Sequence, residues 1–241
     1  TALGLTNVHE WKYAEAATAY RKALALDSKY PTAHQWYGEL LFHTGKLDSS
    51  LAQIRTAADL DPLAPINASA LGYALMVSGK YDDAVSELRQ GLEVAPSLGL
   101  HHAMLAEALI HSGRTRLSIP EFETAVSLDP EVALRKGFLA YGLGRDGMKA
   151  RANSIIAELE KRQRSRGKTG VALAVAYLGM GENDKALAAL EQSVREHDIS
   201  LLTTASLVPD PVYDPLRKDP RFNAILTTMN LAQYTLPSRS H

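Results

Sequence analysis

Eight histidines, His9, His34, His43, His101, His102, His111, His197 and His241, together with scattered glutamates, are the side chains best suited to hold a metal or move a proton. Their spacing does not assemble them. His101 and His102 are adjacent and point in different directions if helical, while His43 and His111 stand 68 residues apart. Glu39 and Glu107 are separated by the same distance, whereas carboxylates paired for acid and base work must face one pocket. Cysteine is absent, which excludes disulfides, thiolate metal sites and cysteine nucleophiles and leaves the redox compartment open. No glycine-rich phosphate loop, His-Glu-x-x-His helix or nucleophile elbow occurs. These residues predict no catalysis, no cofactor and no metal. Asn67-Ala68-Ser69 fits a glycosylation acceptor but follows Pro65, where Asn and Ser are ordinary first-turn residues of a helix.

Such side chains need elements to position them, and composition says which kinds are available. The chain has 241 residues, is 46% hydrophobic and carries a formal net charge of −1, so it can bury an ample core. It lacks the basic excess with which proteins neutralise phosphates, so nucleic acid is not an expected partner. One basic run, Lys161, Arg162, Arg164, Arg166 and Lys168, fits a solvated helix end whose cations suit the negative end of the dipole. A phosphate or acidic-partner contact is the alternative. No apolar run approaches the roughly 18 to 20 residues of a membrane span, and no membrane contact is expected of this segment.

A 34-residue period organises the chain. It relates Gly45, Gly79 and Gly113, then Pro62, Pro96 and Pro130, then Ala23, Ala57, Gly91 and Ala125. Leu26, Leu60, Val94 and Leu128 keep it as well, and are expected to form a buried stripe. Within Pro31 to Pro62, apolar residues return every three or four places on either side of Gly45, which predicts two amphipathic helices. Glycine ends the first helix in the left-handed conformation; Pro62 stops the second and Pro65 opens the next. Pro120 falls inside a second helix, where its ring would clash with the carbonyl four residues earlier. That helix is therefore expected to start late, with Ser118 as its N-cap. After Pro130 the phase loosens, with about two residues lost before the turn, and Gly181, Ala186 and Leu190 then restore it. The chain opens at Thr1 within a unit, with Trp11 where the turn glycine belongs, which suggests a piece of a longer protein.

This pattern resembles the tetratricopeptide repeat. The match is carried by Leu71, Gly72, Gly79, Tyr81, Ala84 and Pro96; by Tyr37, Gly38, Gly45, Ala57 and Pro62; and by Leu105, Gly113, Phe122, Ala125 and Pro130, with Ala106 in place of a glycine. The resemblance implies an all-α, right-handed superhelical solenoid of about six hairpins with a proline-rich C-terminal cap. Its units would be about 1–28, 31–62, 65–96, 99–130, 133–163 and 168–198, with a capping segment and last helix in 199–241. It also implies a concave, partner-binding groove lined by first helices: Gln35, Glu39, Phe42, His43, Ser69, Tyr73, Met76, Val77, Ala103, Glu107, Ile110 and His111. That surface suits a partner segment inserting two or three side chains, or alternatively packs on the chain's own C-terminal segment. It is not a basic clamp for a terminal carboxylate, because the equivalent places hold Gln35, Trp36 and Glu39.

The stretch VPDPVYDPLRKDPRF, Val208 to Phe222, packs four prolines into a dozen residues. Prolines end a repeat, and Asp-Pro pairs turn the chain back over the last apolar face. Val208, Val212, Tyr213, Leu216 and Phe222 are the expected plugs, with Asp214 and Asp219 capping short turns. With HQWYGELL and DLDPLAPI, this tail resembles the C-terminal repeat region of bacterial regulators that carry winged-helix, kinase or cyclase domains. The resemblance implies a non-catalytic protein-interaction module in the bacterial cytoplasm, with the periplasm as alternative. The competing reading is a stand-alone scaffold for envelope or secretion machinery. Self-association through the groove is left open.

Overall fold

The computed structural model describes residues 1–202 and 206–234, which hold thirteen α-helices and no strand. Twelve of them pair as hairpins: α1 (Ala2–His9) with α2 (Tyr13–Leu26), α3 (Pro31–His43) with α4 (Leu47–Leu60), and α5 (Pro65–Val77) with α6 (Tyr81–Val94). Then follow α7 (Gly99–His111) with α8 (Thr115–Leu128), α9 (Ala133–Arg145) with α10 (Lys149–Arg166), and α11 (Gly170–Met180) with α12 (Asn183–Arg195). A tail carries three short 3-10 helices, Ile199–Leu202, Pro211–Leu216 and Ala232–Tyr234, and a last α-helix, α13 (Pro220–Thr228). The fold is an all-α solenoid of six hairpins.

The two helices of a hairpin have different environments. Ten of the 13 residues of α5 are buried, against four of the 14 in α6. First helices from α3 to α11 are thus largely covered, while second helices bury one stripe and present the rest to water. Each first helix from α3 to α11 ends at a turn glycine with φ between 70° and 82°: Gly45, Gly79, Gly113, Gly147 and Gly181. A side chain there would be held in the left-handed region that L-residues avoid. Trp11 occupies the same phase at φ 57° without that freedom.

The fifth unit differs from the sequence expectation. Gly147 lies 34 residues after Gly113, so the repeat keeps its phase and loses nothing before the turn. The glycines that obscure it, Gly142 and Gly144, lie inside α9. A Cβ on Gly144 would meet the carbonyl of Gly179, one on Gly137 the backbone of Ala172, and one on Gly179 the backbone of Tyr141. The glycines let α9 and α11 approach backbone to backbone. Of the basic run, Lys161, Arg162, Arg164 and Arg166 lie in the last turns of α10, which Gly167 ends at φ 67° with Lys168 beyond it, and Arg162 donates to the Glu131 carbonyl at 2.9 Å.

Two further expectations fail. Helix α8 begins at Thr115, not after Ser118, and runs through Pro120. Proline has no donor for the Arg116 carbonyl, but both residues are exposed, so water can reach that acceptor. Nor is the period-34 apolar stripe buried: Leu26 is 81% and Val94 61% exposed. These residues close each second helix on the outer edge, and the small residues one turn earlier, such as Ala57, Gly91 and Ala125, make the buried crossings.

Candidate functional site

The first helices α3, α5 and α7 place their inward side chains on the concave face, and most of that face is already covered. From residue 206 the tail turns inward and crosses it. The Tyr73 hydroxyl donates to Asp210 Oδ2 at 3.0 Å and accepts the Ser206 N–H at 3.0 Å, while His43 Nδ1 lies 2.8 Å from Ser206 Oγ. Asp210 Oδ1 accepts the Val212 N–H, capping the turn Pro211–Leu216. Arg217 staples this loop, donating to the carbonyls of Asp210 at 2.9 Å and Leu207 at 3.4 Å and pairing with Asp214 at 2.6 Å. The caps are therefore Asp210 and Asp219, and Asp214, expected to cap, serves as an ion-pair partner. Val208, Val212, Tyr213, Leu216 and Phe222 are all buried, in one cluster with residues of α9, α11 and α12.

The twelve groove residues inferred from the repeat divide by environment. Glu39, Phe42, His43, Ser69 and Tyr73 surround one cavity of about 230 Å³, closed by Leu5 and His9 of α1, Ile66 and Ala70 of α5, and Leu100 and Met104 of α7. Phe42 meets Tyr73 edge-on at 5.0 Å between ring centroids. Gln35 stands behind, its amide donating to Glu39 Oε1 at 3.0 Å. Met76, Val77, Ala103, Glu107 and Ile110 are buried, and Ile110 belongs to the cluster that holds the tail. His111 stands apart, stacked on Tyr81 at 5.9 Å. Repeat arithmetic alone could not find Asp210, Ser206 or Arg217; the only sequence signal for Asp210 is its place before a proline in the tail.

Electrostatics inside this face are governed by desolvation. Burial pushes the Glu107 carboxyl well above the usual range, the nearby Asp210 charge pushes the same way, and Arg135 opposes weakly. Burial also raises the Tyr73 and Tyr213 hydroxyls, again with help from Asp210, and raises Tyr141 to about 12. Glu39 is raised by burial, with the Gln35 amide pulling it back.

The histidines serve the scaffold. His34 and His102, one repeat position two units apart, bridge the same kinds of group: the Ser28 carbonyl and Gln53, and the Pro96 carbonyl and Glu121. Asn67 is buried and donates to the carbonyls of Ala57 and Asp61, closing the end of α4. Among the described residues, no group of three or more His, Asp or Glu is placed to hold a metal, and no helix is long and apolar enough to cross a membrane.

Hairpins of fixed period, inner first helices and a shared turn glycine define a repeat solenoid. The chain belongs to the tetratricopeptide repeat family: one family model matches residues 12–65 and 69–137, and a second matches 169–192. No curated protein matches the chain. Among solved structures, Pseudomonas aeruginosa pilF is similar at 16% identity and TM-score 0.59, over 83% of this chain and 91% of its own. TTC0263 of Thermus thermophilus is similar at 16% identity and TM-score 0.54, over 95% and 96%. MamA from Desulfovibrio magneticus RS-1 is similar at 18% identity and TM-score 0.56, over 68% and 93%. At these identities the likeness concerns the fold. Tetratricopeptide repeats mediate protein–protein interactions, and proteins of this fold are generally non-catalytic interaction modules.

Proposed function

We propose that the concave face binds a segment of a partner protein, and that the chain serves a bacterial transcriptional or signalling regulator as its interaction module. One observation carries the binding proposal: this face already holds a non-helical stretch of polypeptide. Tyr73 and His43 engage the Ser206 main chain and side chain and the Asp210 carboxylate, as a partner strand would be engaged. Beside that stretch the cavity bounded by Phe42, Ile66 and Met104 stays open. The tail leaves a partner the edge formed by the first turns of α5 and α7. Catalysis forms no part of this reading.

The regulator context rests on the resemblance of Val208–Phe222 to the tails of such arrays, and a coding sequence upstream of Thr1 for a winged-helix, kinase or cyclase domain is the expected finding. Groove binding is tested by photo-crosslinking in cells. A benzophenone amino acid replaces Ile66, which lines the cavity and is 43% exposed, or Leu26, which is 81% exposed on the outer edge. Ile66 is expected to capture a protein that Leu26 does not; the same adducts from both positions would overturn the reading.

A further inference from the structure

The open cavity joins apolar walls to an acidic side chain. Each helix around it supplies an apolar wall, Leu5 from α1, Phe42 from α3, Ile66 from α5, Leu100 and Met104 from α7, while Glu39, Ser69, Tyr73 and the imidazoles of His9 and His43 make its polar lining. Two polar groups of the lining are under-satisfied. Among the described residues, Glu39 has one hydrogen-bond partner, the Gln35 amide. The Ser69 hydroxyl is buried and has no hydrogen-bond partner among them. No lysine or arginine of the described residues lines the cavity.

An occupant therefore meets a defined requirement. Any side chain that fills the space strips water from a carboxylate that lacks a counter-charge. A purely apolar occupant would gain from the walls and lose by leaving that charge desolvated. An acidic occupant would add repulsion. A long side chain with an apolar stem and a cationic head satisfies both parts, with the stem against Phe42, Ile66 and Met104 and the head at Glu39. The volume of about 230 Å³ suits one such side chain and not a domain surface.

Resting on the reading of the concave face as partner-binding, we infer that this cavity is a subsite for a single lysine or arginine side chain of the partner segment. Its polarity is opposite to that of a basic clamp for a terminal carboxylate. The charge, not the shape, selects the occupant: a norleucine of similar length matches the walls and fails at Glu39.

The test uses the whole chain with three probes, the N-acetyl methylamides of arginine, lysine and norleucine, followed by the methyl NMR signals of Leu5, Ile66 and Met104. Either cationic probe is expected to bind about tenfold tighter than norleucine, the scale of one charge-assisted hydrogen bond. The arginine and lysine arms decide which cation the cavity prefers. Glu39→Gln keeps the Gln35 contact and the shape, and should erase the cation preference without weakening norleucine. Leu5→Lys, at an exposed position on α1, places a tethered cation at the cavity and should block the arginine probe. Norleucine binding as tightly as the cations, a cation preference surviving in Glu39→Gln, or no probe shifting the cavity methyls at tens of millimolar would each overturn the inference. If only charge selection fails, the Ile66 crosslink still decides the broader reading.

Discussion

Glu107 shows how one side chain can set the pH dependence of the whole array. It is 2% exposed, its Oε2 has no hydrogen-bond partner among the described residues, and the charges around it are Asp210 from the tail and Arg135 from α9. Tyr73, Tyr141 and Tyr213 also feel its charge. Its folded-state pKa is raised, so the folded chain keeps a proton that the unfolded chain releases near the ordinary glutamate value. The unfolded state then binds fewer protons, and stability falls as pH rises from that ordinary value toward the raised one. Each pH unit in that window costs up to about 1.4 kcal/mol. Glu107→Gln removes the titration, and its amide can donate toward Asp210. The variant should unfold at a higher temperature than the parent at pH 8, with the gap shrinking toward pH 5, as read by calorimetry. A gap that stays constant across that range would mean Glu107 does not titrate in this window.

Helix α8 keeps a local conflict that its neighbours lack. Pro120 sits at the sixth position of a 14-residue helix, beyond the first turn where proline is tolerated. Exposure on the outer face is what makes it bearable, because the Arg116 carbonyl can turn to water. Pro120→Ala restores that hydrogen bond and removes the ring clash, against a smaller loss from the freer unfolded chain. The expected gain is about 1–2 kcal/mol, less than the full interior penalty of about 3 kcal/mol because the native helix has already adapted. Denaturant unfolding should show a higher midpoint at an unchanged slope; a lower midpoint would mean the proline is favoured in place.

The same helix shows what could be read in advance. Hairpins, turn glycines and inner helices follow from local rules applied with a period, so they were legible. Two features are not legible this way: the local proline penalty points to a late start of α8, and Gly142 and Gly144 compete with Gly147 as turn signals, whereas the packed helices keep the phase through Gly147 and use Gly137 and Gly144 for a helix crossing. Glu39, Phe42, His43, Ser69 and Tyr73 could be placed on one face by arithmetic. That Asp210 would reach Tyr73, 137 residues earlier in the chain, could not, since no local pattern encodes a contact of that range.

Closure of the array is a property of the whole molecule. In an open solenoid each unit touches only its neighbours, and the ends fray first. Here the tail returns to the first hairpin. The Trp11 ring stacks on His197 at 4.1 Å, Asn230 donates to the Trp11 carbonyl at 3.3 Å, and Tyr13 meets Tyr234 edge-on at 6.3 Å. Trp11, His197 and Asn230 all hold positive φ, at 57°, 50° and 57°, so three strained non-glycine backbones gather at one junction. Strain of this kind persists only where surrounding contacts over-determine it. Trp11→Gly sets the two effects against each other, because it restores the residue type of the other turns and deletes the ring. Relief of the left-handed backbone is worth about 1–2 kcal/mol, and loss of a buried aromatic costs about 3–5 kcal/mol, so a net loss of about 1–4 kcal/mol is expected. The loss should be local at first: amide exchange in α1 and α2 should accelerate well before that in α5 to α8, turning one cooperative transition into a frayed one. Protection in α1 and α2 equal to the parent's would mean that the first hairpin is held by α3 and α4 alone, and that contact with the tail contributes nothing to closing the array.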